Sequence, residues 1–268
     1  MPTVALTIAG SDPCGGAGIQ ADLKTFHQFG VYGEAVVTLL TVQNTRTVPR
    51  VETVPHDFVA EQIEAVINDI PPDAAKTGAL GSVEIVEAVA ELARDFEFPL
   101  VIDPVMMSKH GARLASRDAE EALKRLLLGS GRLVTPNIPE AESLTGMQIE
   151  TESDIREAAA RLLDLGATAV LIKGGHLSGD PIDFLLDEDG FTRFTGRRID
   201  TPHTHGTGCA YSAAITACLA LNYELREAIS TARSFVENAI ATAPHLGGGQ
   251  GPINHFAHAA KAATAGYR

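Results

Sequence analysis

Tryptophan is absent and aromatic residues make up only 5% of the 268 positions, so an apolar core has to be built from Ala, Val, Leu and Ile. That composition suits helices packed on a parallel sheet, whose strands are buried on both faces. Cysteine is scarce as well. Cys14, Cys209 and Cys218 form an odd set without metal-ligand spacing, which argues against a disulfide framework and a zinc site. No apolar run is long enough to cross a bilayer, and Met1 to Ala9 lacks the basic start of a secretory signal, so a cytoplasmic protein without a membrane partner is expected. Positive charge is in short supply: 21 Lys and Arg face 34 Asp and Glu, for a net charge of -13. The bases are scattered and give no cationic stripe, which argues against nucleic acid as a partner. An anion must then be held by local N–H groups, a lysine or a metal. Repeats, linker-like runs and shifts of composition are lacking too, so one domain over residues 1–268 is expected.

What is present is an alternation. Strand-like apolar runs at Val4 to Ile8, Ala35 to Val42, Leu100 to Ile102, Leu133 to Thr135 and Ala169 to Ile172 are separated by helix-period segments. This predicts an α/β fold of three layers, a mostly parallel central sheet with helices on both faces. Phe184 to Leu186 and Thr192 to Phe194 flank the acidic turn Asp187-Glu188-Asp189-Gly190 and read as a hairpin at a sheet edge. Two helices follow, from about Gly208 to Leu221 and from Leu225 to Ala241. Thr151 with Asp154 three residues on marks a helix start, and Gly30 and Gly166 stand where helices stop. In open α/β sheets ligands bind beyond the carboxyl ends of the strands, and the informative clusters all lie there.

Ala9 to Asp22 contains too many glycines for a plain turn, so the backbone there must approach something closely. Gly16, Gly18 and Ala21 match the relaxed dinucleotide fingerprint G-x-G-x-x-A. A nicotinamide cofactor also needs an acid at the end of the second strand, and that strand ends in Gln43-Asn44. The P-loop pattern G-x-x-x-x-G-K-[ST] does not occur, so phosphate has to be handled elsewhere. The candidate is Thr204-His205-Gly206-Thr207-Gly208-Cys209, where a polar segment turns through two glycines into an apolar helix. Unpaired N–H groups and the dipole at such a helix start hold anions. The same dipole lowers the pKa of a thiol in the first turn, so Cys209 is expected to reach the thiolate near neutral pH, whereas Cys218 reads as a small core residue.

Gln43 ends a strand, and its carboxamide offers a donor and an acceptor in one plane, the pair required by the amino group and adjacent ring nitrogen of a 4-aminopyrimidine. A solvated strand-end Gln is the alternative. Asn137 and Glu140 lie one helical turn apart on one face, oxygen donors of the kind that suit Mg²⁺. Asp103, at another strand end, is a third ligand or a cap. Lys173, at a strand end before two glycines, is placed to meet nucleotide phosphates as a point charge.

Gly206-Thr207-Gly208-Cys209 resembles the anion-hole motif of the ribokinase superfamily, whose last position usually holds an Asp base; Cys there resembles the hydroxymethylpyrimidine kinase branch. Leu6-Thr7-Ile8-Ala9-Gly10-Ser11-Asp12, the run from Gly15 to Thr25, Gln43-Asn44-Thr45 and Ile102-Asp103-Pro104-Val105-Met106 are similar to that branch. So are Thr135-Pro136-Asn137-Ile138-Pro139-Glu140-Ala141 and Lys173-Gly174-Gly175-His176, and the likeness covers essentially the whole chain. The resemblance implies a ribokinase-like fold, a homodimer, and transfer of the ATP γ-phosphoryl group to a hydroxymethylpyrimidine and its monophosphate with Mg²⁺. It implies Gly10, Asp22 and Gln43 at the substrate and Asp103, Asn137 and Glu140 at the metal, the last two through water. It also implies Lys173 at the phosphates, Gly206, Thr207 and Gly208 as the anion hole, and Cys209 as the base. For Asp22, an exposed carboxylate in the first turn of a helix is the alternative.

Val105 to Gly111 resembles the loop that folds over the active site, although Ser108-Lys109-His110-Gly111 departs from the branch pattern. His176 and His205 are expected as hydrogen-bonded structural residues. A pyridoxal or pyridoxine kinase of the same branch is the alternative activity, because a pyridine alcohol fits the same geometry, but Gln43 favours the aminopyrimidine. A non-catalytic pyrimidine-binding regulator is a third reading, opposed by Asn137, Glu140, Lys173 and Cys209 occurring together.

Overall fold

Aliphatic side chains on both faces of the first strand place it at the centre of a sheet. In β1 (Val4–Ser11) Leu6 and Ile8 enter one apolar cluster, and Ala5 enters another on the opposite face. The computed structural model describes residues 2–175 and 180–258, so His176 lies outside the described residues. After β1 come α1 (Gly18–Gln28), β2 (Tyr32–Val42), β3 (Arg50–Thr53), α2 (His56–Asp69), β4 (Ala74–Thr77), α3 (Val83–Ala93) and β5 (Leu100–Ile102). A short helix, α4 (Arg117–Ala122), runs on into a π-helical turn. It is followed by β6 (Leu133–Val134), α5 (Ile138–Thr145), α6 (Glu152–Asp164), β7 (Val170–Ile172), β8 (Ile182–Asp187), β9 (Gly190–Thr195), α7 (Thr207–Ala220) and α8 (Leu225–Ala241).

These strands form one nine-stranded sheet in the order β3-β2-β1-β4-β5-β6-β7-β8-β9. From β2 through β7 all neighbours pair parallel, and β3, β8 and β9 pair antiparallel. Helices α2 to α6 cover the face of Leu6 and Ile8, and α1, α7 and α8 cover the other. This is the three-layer architecture expected from the alternation. The acidic hairpin is present at the edge, with Asp187 opposite Gly190 and both Asp187 and Asp189 tied to Arg226 on α8. Thr151 and Asp154 form the capping box of α6, whose Ile155 and Leu162 are fully buried, each worth about 1.5–3 kcal/mol. Among the described residues no helix is long and apolar enough to cross a membrane.

Two strands have no counterpart in the apolar runs. β3 is a short edge strand, Arg-Val-Glu-Thr. β4 reads Ala-Ala-Lys-Thr, three of whose residues have no strand preference, yet it lies at the centre of the sheet and is wholly buried.

The period of two that buries these strands also builds the floor of a site. On the face covered by α7, Ala5 is followed in phase by Thr7, Ala74 by Lys76, Val101 by Asp103, Leu133 by Thr135 and Leu171 by Lys173. The apolar rows therefore end in a polar row at the carboxyl ends of the parallel strands. α7 meets that row closely because its buried face is made of small residues, Ala213, Ala217 and Ala220 among them.

Candidate active site

The glycine-rich loop between β1 and α1 consumes its own amides. Asp12 Oδ1 accepts the N–H of Cys14 at 3.0 Å, and Oδ2 accepts those of Gly16 at 3.1 Å and Ala17 at 2.9 Å. Oδ2 also lies 2.8 Å from His205 Nε2. Burial works to raise the Asp12 pKa, but hydrogen bonds from His205 and Cys14 outweigh it and hold the carboxyl below its ordinary range. The amides a dinucleotide loop would offer a pyrophosphate are thus committed within the protein. Gly206 is left-handed (φ 81), and a Cβ there would fall 1.7 Å from the Gly16 carbonyl oxygen, so this loop and the start of α7 are in backbone contact.

In α7 the Ala210 N–H reaches the Gly206 carbonyl at 2.9 Å, and the Thr207 N–H turns to the Thr204 carbonyl at 3.3 Å. The amides of Gly208 and Cys209 stand at the open end of the ladder, where a helix has no partners of its own. Lys173 lies against them: the Cβ that Gly208 lacks would be 3.6 Å from Lys173 Nζ. That ammonium donates to Asp103 Oδ1 at 2.9 Å. Burial pulls the Lys173 pKa down, but Asp103 and Glu140 more than offset it and hold it above its ordinary value.

The residues expected at a metal are used unequally. Asn137 and Glu140 are first a capping box of α5, with Asn137 Oδ1 accepting the Glu140 N–H at 2.9 Å and Glu140 Oε2 accepting the Asn137 N–H at 2.8 Å. Asp103 accepts from Lys173, from Thr135 Oγ1 at 3.3 Å and from Ser212 Oγ at 3.0 Å. The capping bond from the Asn137 N–H uses Glu140 Oε2 and not Oε1. Burial pushes the Glu140 carboxyl up to about 7, against the pull of Lys173.

One alternative is removed and one expectation corrected. Asp22 is not an exposed carboxylate but fully buried, with Lys76 Nζ at 3.0 and 2.9 Å from its two oxygens and Thr7 Oγ1 donating at 2.7 Å. Burial alone lowers the Lys76 pKa, and the Asp22 carboxylate reverses this and holds it up. Cys209 does stand in the first turn of α7, but its thiol is pushed up to about 12. Burial is the main cause, with Asp22 and Asp103 adding to it and Lys76 and the Gly18 N–H opposing it. Cys209 is only half-buried and borders the cleft, yet desolvation together with the neighbouring Asp22 and Asp103 outweighs the helix dipole.

Gln43 follows β2, with Oε1 at 3.2 Å from Thr41 Oγ1 and Nε2 at 3.3 Å from His205 Nε2. It lines a cleft of about 990 Å³ together with Gly10, Asp22, Asp103, Asn137, Glu140, Lys173 and the Gly206–Cys209 turn. Every residue expected at the substrate, the phosphates or the metal therefore borders one cavity. A family model described as phosphomethylpyrimidine kinase matches residues 12–254. The chain belongs to that family. It is 51% identical over 253 residues to the thiamine biosynthesis bifunctional protein ThiED of Geobacter sulfurreducens, covering 94% of this chain and 52% of that protein, so it spans about half of the bifunctional relative. It is 44% identical over 264 residues to the hydroxymethylpyrimidine/phosphomethylpyrimidine kinase of Staphylococcus aureus strain MSSA476, covering 97% of this chain and 96% of that one. The structure of pyridoxal kinase from Staphylococcus aureus in complex with AMP-PCP and pyridoxal superposes with a TM-score of 0.88 at 35% identity, covering 96% of this chain and 94% of that one.

As a member of the phosphomethylpyrimidine kinase family the chain is a phosphotransferase with a ribokinase-like fold. Its site contains three residues to which the sequence reading gave no role: Lys76, Asp12 and Ser212. A lysine inside an otherwise small, apolar four-residue run before a glycine was the available signal for Lys76. The loop from Val105 to Gly111 does fold over the cleft, with Met107 paired to Arg113 and the His110 ring centred 5.9 Å from that of His205. Lys109 borders the cleft from this loop and remains exposed.

Proposed function

We propose that this chain transfers the γ-phosphoryl group of ATP to the hydroxymethyl oxygen of 4-amino-5-hydroxymethyl-2-methylpyrimidine, and then transfers a second one onto the monophosphate, on the route to thiamine. One observation carries the reading: a single cleft joins an amide edge suited to an aminopyrimidine, Gln43, to a helix start and lysine suited to a phosphoryl group, Gly206–Cys209 and Lys173. Phosphoryl transfer passes through a loose transition state, so positioning and charge stabilisation dominate. The Gly208 and Cys209 amides and Lys173 meet the charge of the transferring group. Cys209 takes the hydroxyl proton as the new O–P bond forms and ADP departs. Because burial pushes the free thiol up to about 12, this role requires the thiol to give its proton to solvent as the complex assembles, and the charge of the Lys76 ammonium favours the thiolate.

The fit of Mg²⁺ rests on Glu140. Glu140 is a buried carboxylate that shares the Lys173 ammonium with Asp103 and is pushed up to about 7, and hydrated Mg²⁺ would supply the missing charge through water. When bound, the ion neutralises charge on phosphate oxygens. Asn137 keeps Glu140 oriented through the capping box, and Asp103 holds Lys173 in place.

The test is an ATP-dependent panel of hydroxymethylpyrimidine, its monophosphate, pyridoxal and pyridoxine. The highest kcat/KM is expected for the two pyrimidines. The superposition on a pyridoxal kinase favours the second reading, and a clear preference for pyridoxal would establish it instead. A homodimer in the cytoplasm belongs to the same proposal, and light scattering giving the mass of a single chain would remove the dimer.

A further inference from the structure

His205 stands where the glycine-rich loop, the end of β2 and the start of α7 meet. Its N–H donates to the Gly251 carbonyl at 3.1 Å, and its own carbonyl accepts the Ile253 N–H at 3.3 Å. The ring presses on Gly16, where an added Cβ would fall 2.4 Å from His205 Cδ2. It is 2% exposed, and Nδ1 has no hydrogen-bond partner among the described residues. Its polar contacts therefore all run through Nε2, which lies 2.8 Å from Asp12 Oδ2 and 3.3 Å from the Gln43 carboxamide.

These contacts fix the orientation of an amide. Asp12 already accepts three backbone N–H groups and ionises more readily than an ordinary carboxyl, so it has no proton to give. The hydrogen joining the two residues is carried by His205 Nε2. A nitrogen used in this way cannot also accept a hydrogen from the Gln43 NH₂, which would set donor against donor. Thr41 points to the same conclusion. Its hydroxyl donates to the Ser11 carbonyl at 2.9 Å, which leaves its oxygen to act as an acceptor toward Gln43. Amide oxygen and nitrogen are told apart by their partners. Both neighbours are satisfied when the Gln43 oxygen faces His205 and its nitrogen faces Thr41.

We infer that His205 is a positioning residue that locks the Gln43 carboxamide with its oxygen on the His205 side and its nitrogen on the Thr41 side, and so fixes which way round a 4-aminopyrimidine docks. The amino group then meets the amide oxygen, and the ring nitrogen meets the amide N–H. This rests on the reading of Gln43 as the residue that recognises the ring. A pyrimidin-4-one in its N3–H form carries the reverse pattern, an acceptor where the amine has a donor, and matches only the inverted amide. Discrimination between amine and lactam is thus set by His205 acting through Gln43.

The experiment measures kcat/KM for hydroxymethylpyrimidine and for its 4-oxo analogue in the parent enzyme, His205→Gln, His205→Asn and Gln43→Met. Glutamine keeps an N–H at about the reach of Nε2, whereas asparagine withdraws it. The parent and His205→Gln should favour the amine. His205→Asn should lower the amine-to-lactam ratio by roughly tenfold or more, through the pyrimidine KM with the ATP KM unchanged. Gln43→Met should abolish the preference altogether. An unchanged ratio in His205→Asn beside a lost preference in Gln43→Met overturns the inference and leaves Gln43 as the reader. Equal collapse in His205→Gln and His205→Asn also overturns it, because a merely structural histidine loses both. An unchanged ratio in Gln43→Met removes the reading of Gln43 and the inference with it. The parent supplies a test that depends on no variant: binding the 4-oxo analogue as tightly as the amine, by calorimetry, overturns the inference.

Discussion

At one end of the cleft charge is matched inside the protein, and at the other it is not. Asp22 faces Lys76 and Thr7, and Asp12 faces His205 and three backbone amides. Around Lys173, by contrast, one ammonium serves two buried carboxylates, Asp103 and Glu140, and the second is pushed up to about 7. The end suited to an uncharged ring is complete before a substrate arrives. The end suited to phosphates is left short of positive charge, which the proposed Mg²⁺ would supply.

The hardest way to break this contrast is to remove a cation from the matched end. Lys76→Met leaves Asp22 buried without a counter-charge and should cost about 3–5 kcal/mol in denaturant unfolding. Adding Asp22→Asn should recover part of that loss, and an equal loss in the single and double variants would show that the pair is not the source. At the other end Cys209→Ser should lower kcat by roughly 10² or more. Cys209→Asp should restore some of it, and nucleotide binding should survive both changes because the α7 amides are untouched. Parental kcat in Cys209→Ser, with chemistry rate-limiting, would make the thiol structural.

Glu140→Gln sharpens the contrast through pH. The folded pKa of about 7 lies above the ordinary 4.5, so the folded state binds the proton more tightly. The stability this gives is full below about pH 4.5 and is lost as pH rises through 7. In the metal-free protein the difference between parent and variant should change over that window by about 3 kcal/mol at most. Mg²⁺ should flatten the change, and the variant should need more Mg²⁺ for half-maximal rate. Parallel pH profiles with identical Mg²⁺ titrations would remove Glu140 from the metal. The smallest effect is expected from Ser212→Ala, about 1–2 kcal/mol of stability, since Asp103 keeps Lys173 and Thr135.

Much of the sheet was legible because aliphatic residues at period two announce buried strands, and the start of α7 was legible because two glycines precede an apolar helix. β4 was not, since Lys76 looks like a surface residue in any local window. It is tolerated in the core only because Asp22 reaches it from α1, and a partner so far along the chain leaves no local signal. The Cys209 thiol was misjudged for the same reason. A dipole belongs to one helix, but burial belongs to the whole fold. Asn137 and Glu140 were visible as a pair, yet the same spacing specifies a capping box, so spacing alone does not separate a helix cap from a metal ligand.

The contact between Gly16 and Gly206 joins the loop after β1 to the start of α7. A nascent polypeptide that has emerged only as far as β9 owns every strand of the sheet but lacks α7. Ala5, Phe26 and Ala74 would then face water, and Asp12 would have no His205. Closing so long a loop is entropically costly and comes late in assembly. Ligand binding is therefore expected to appear only once α7 has been made and has docked on the sheet, so that competence to bind reports that this last layer is in place.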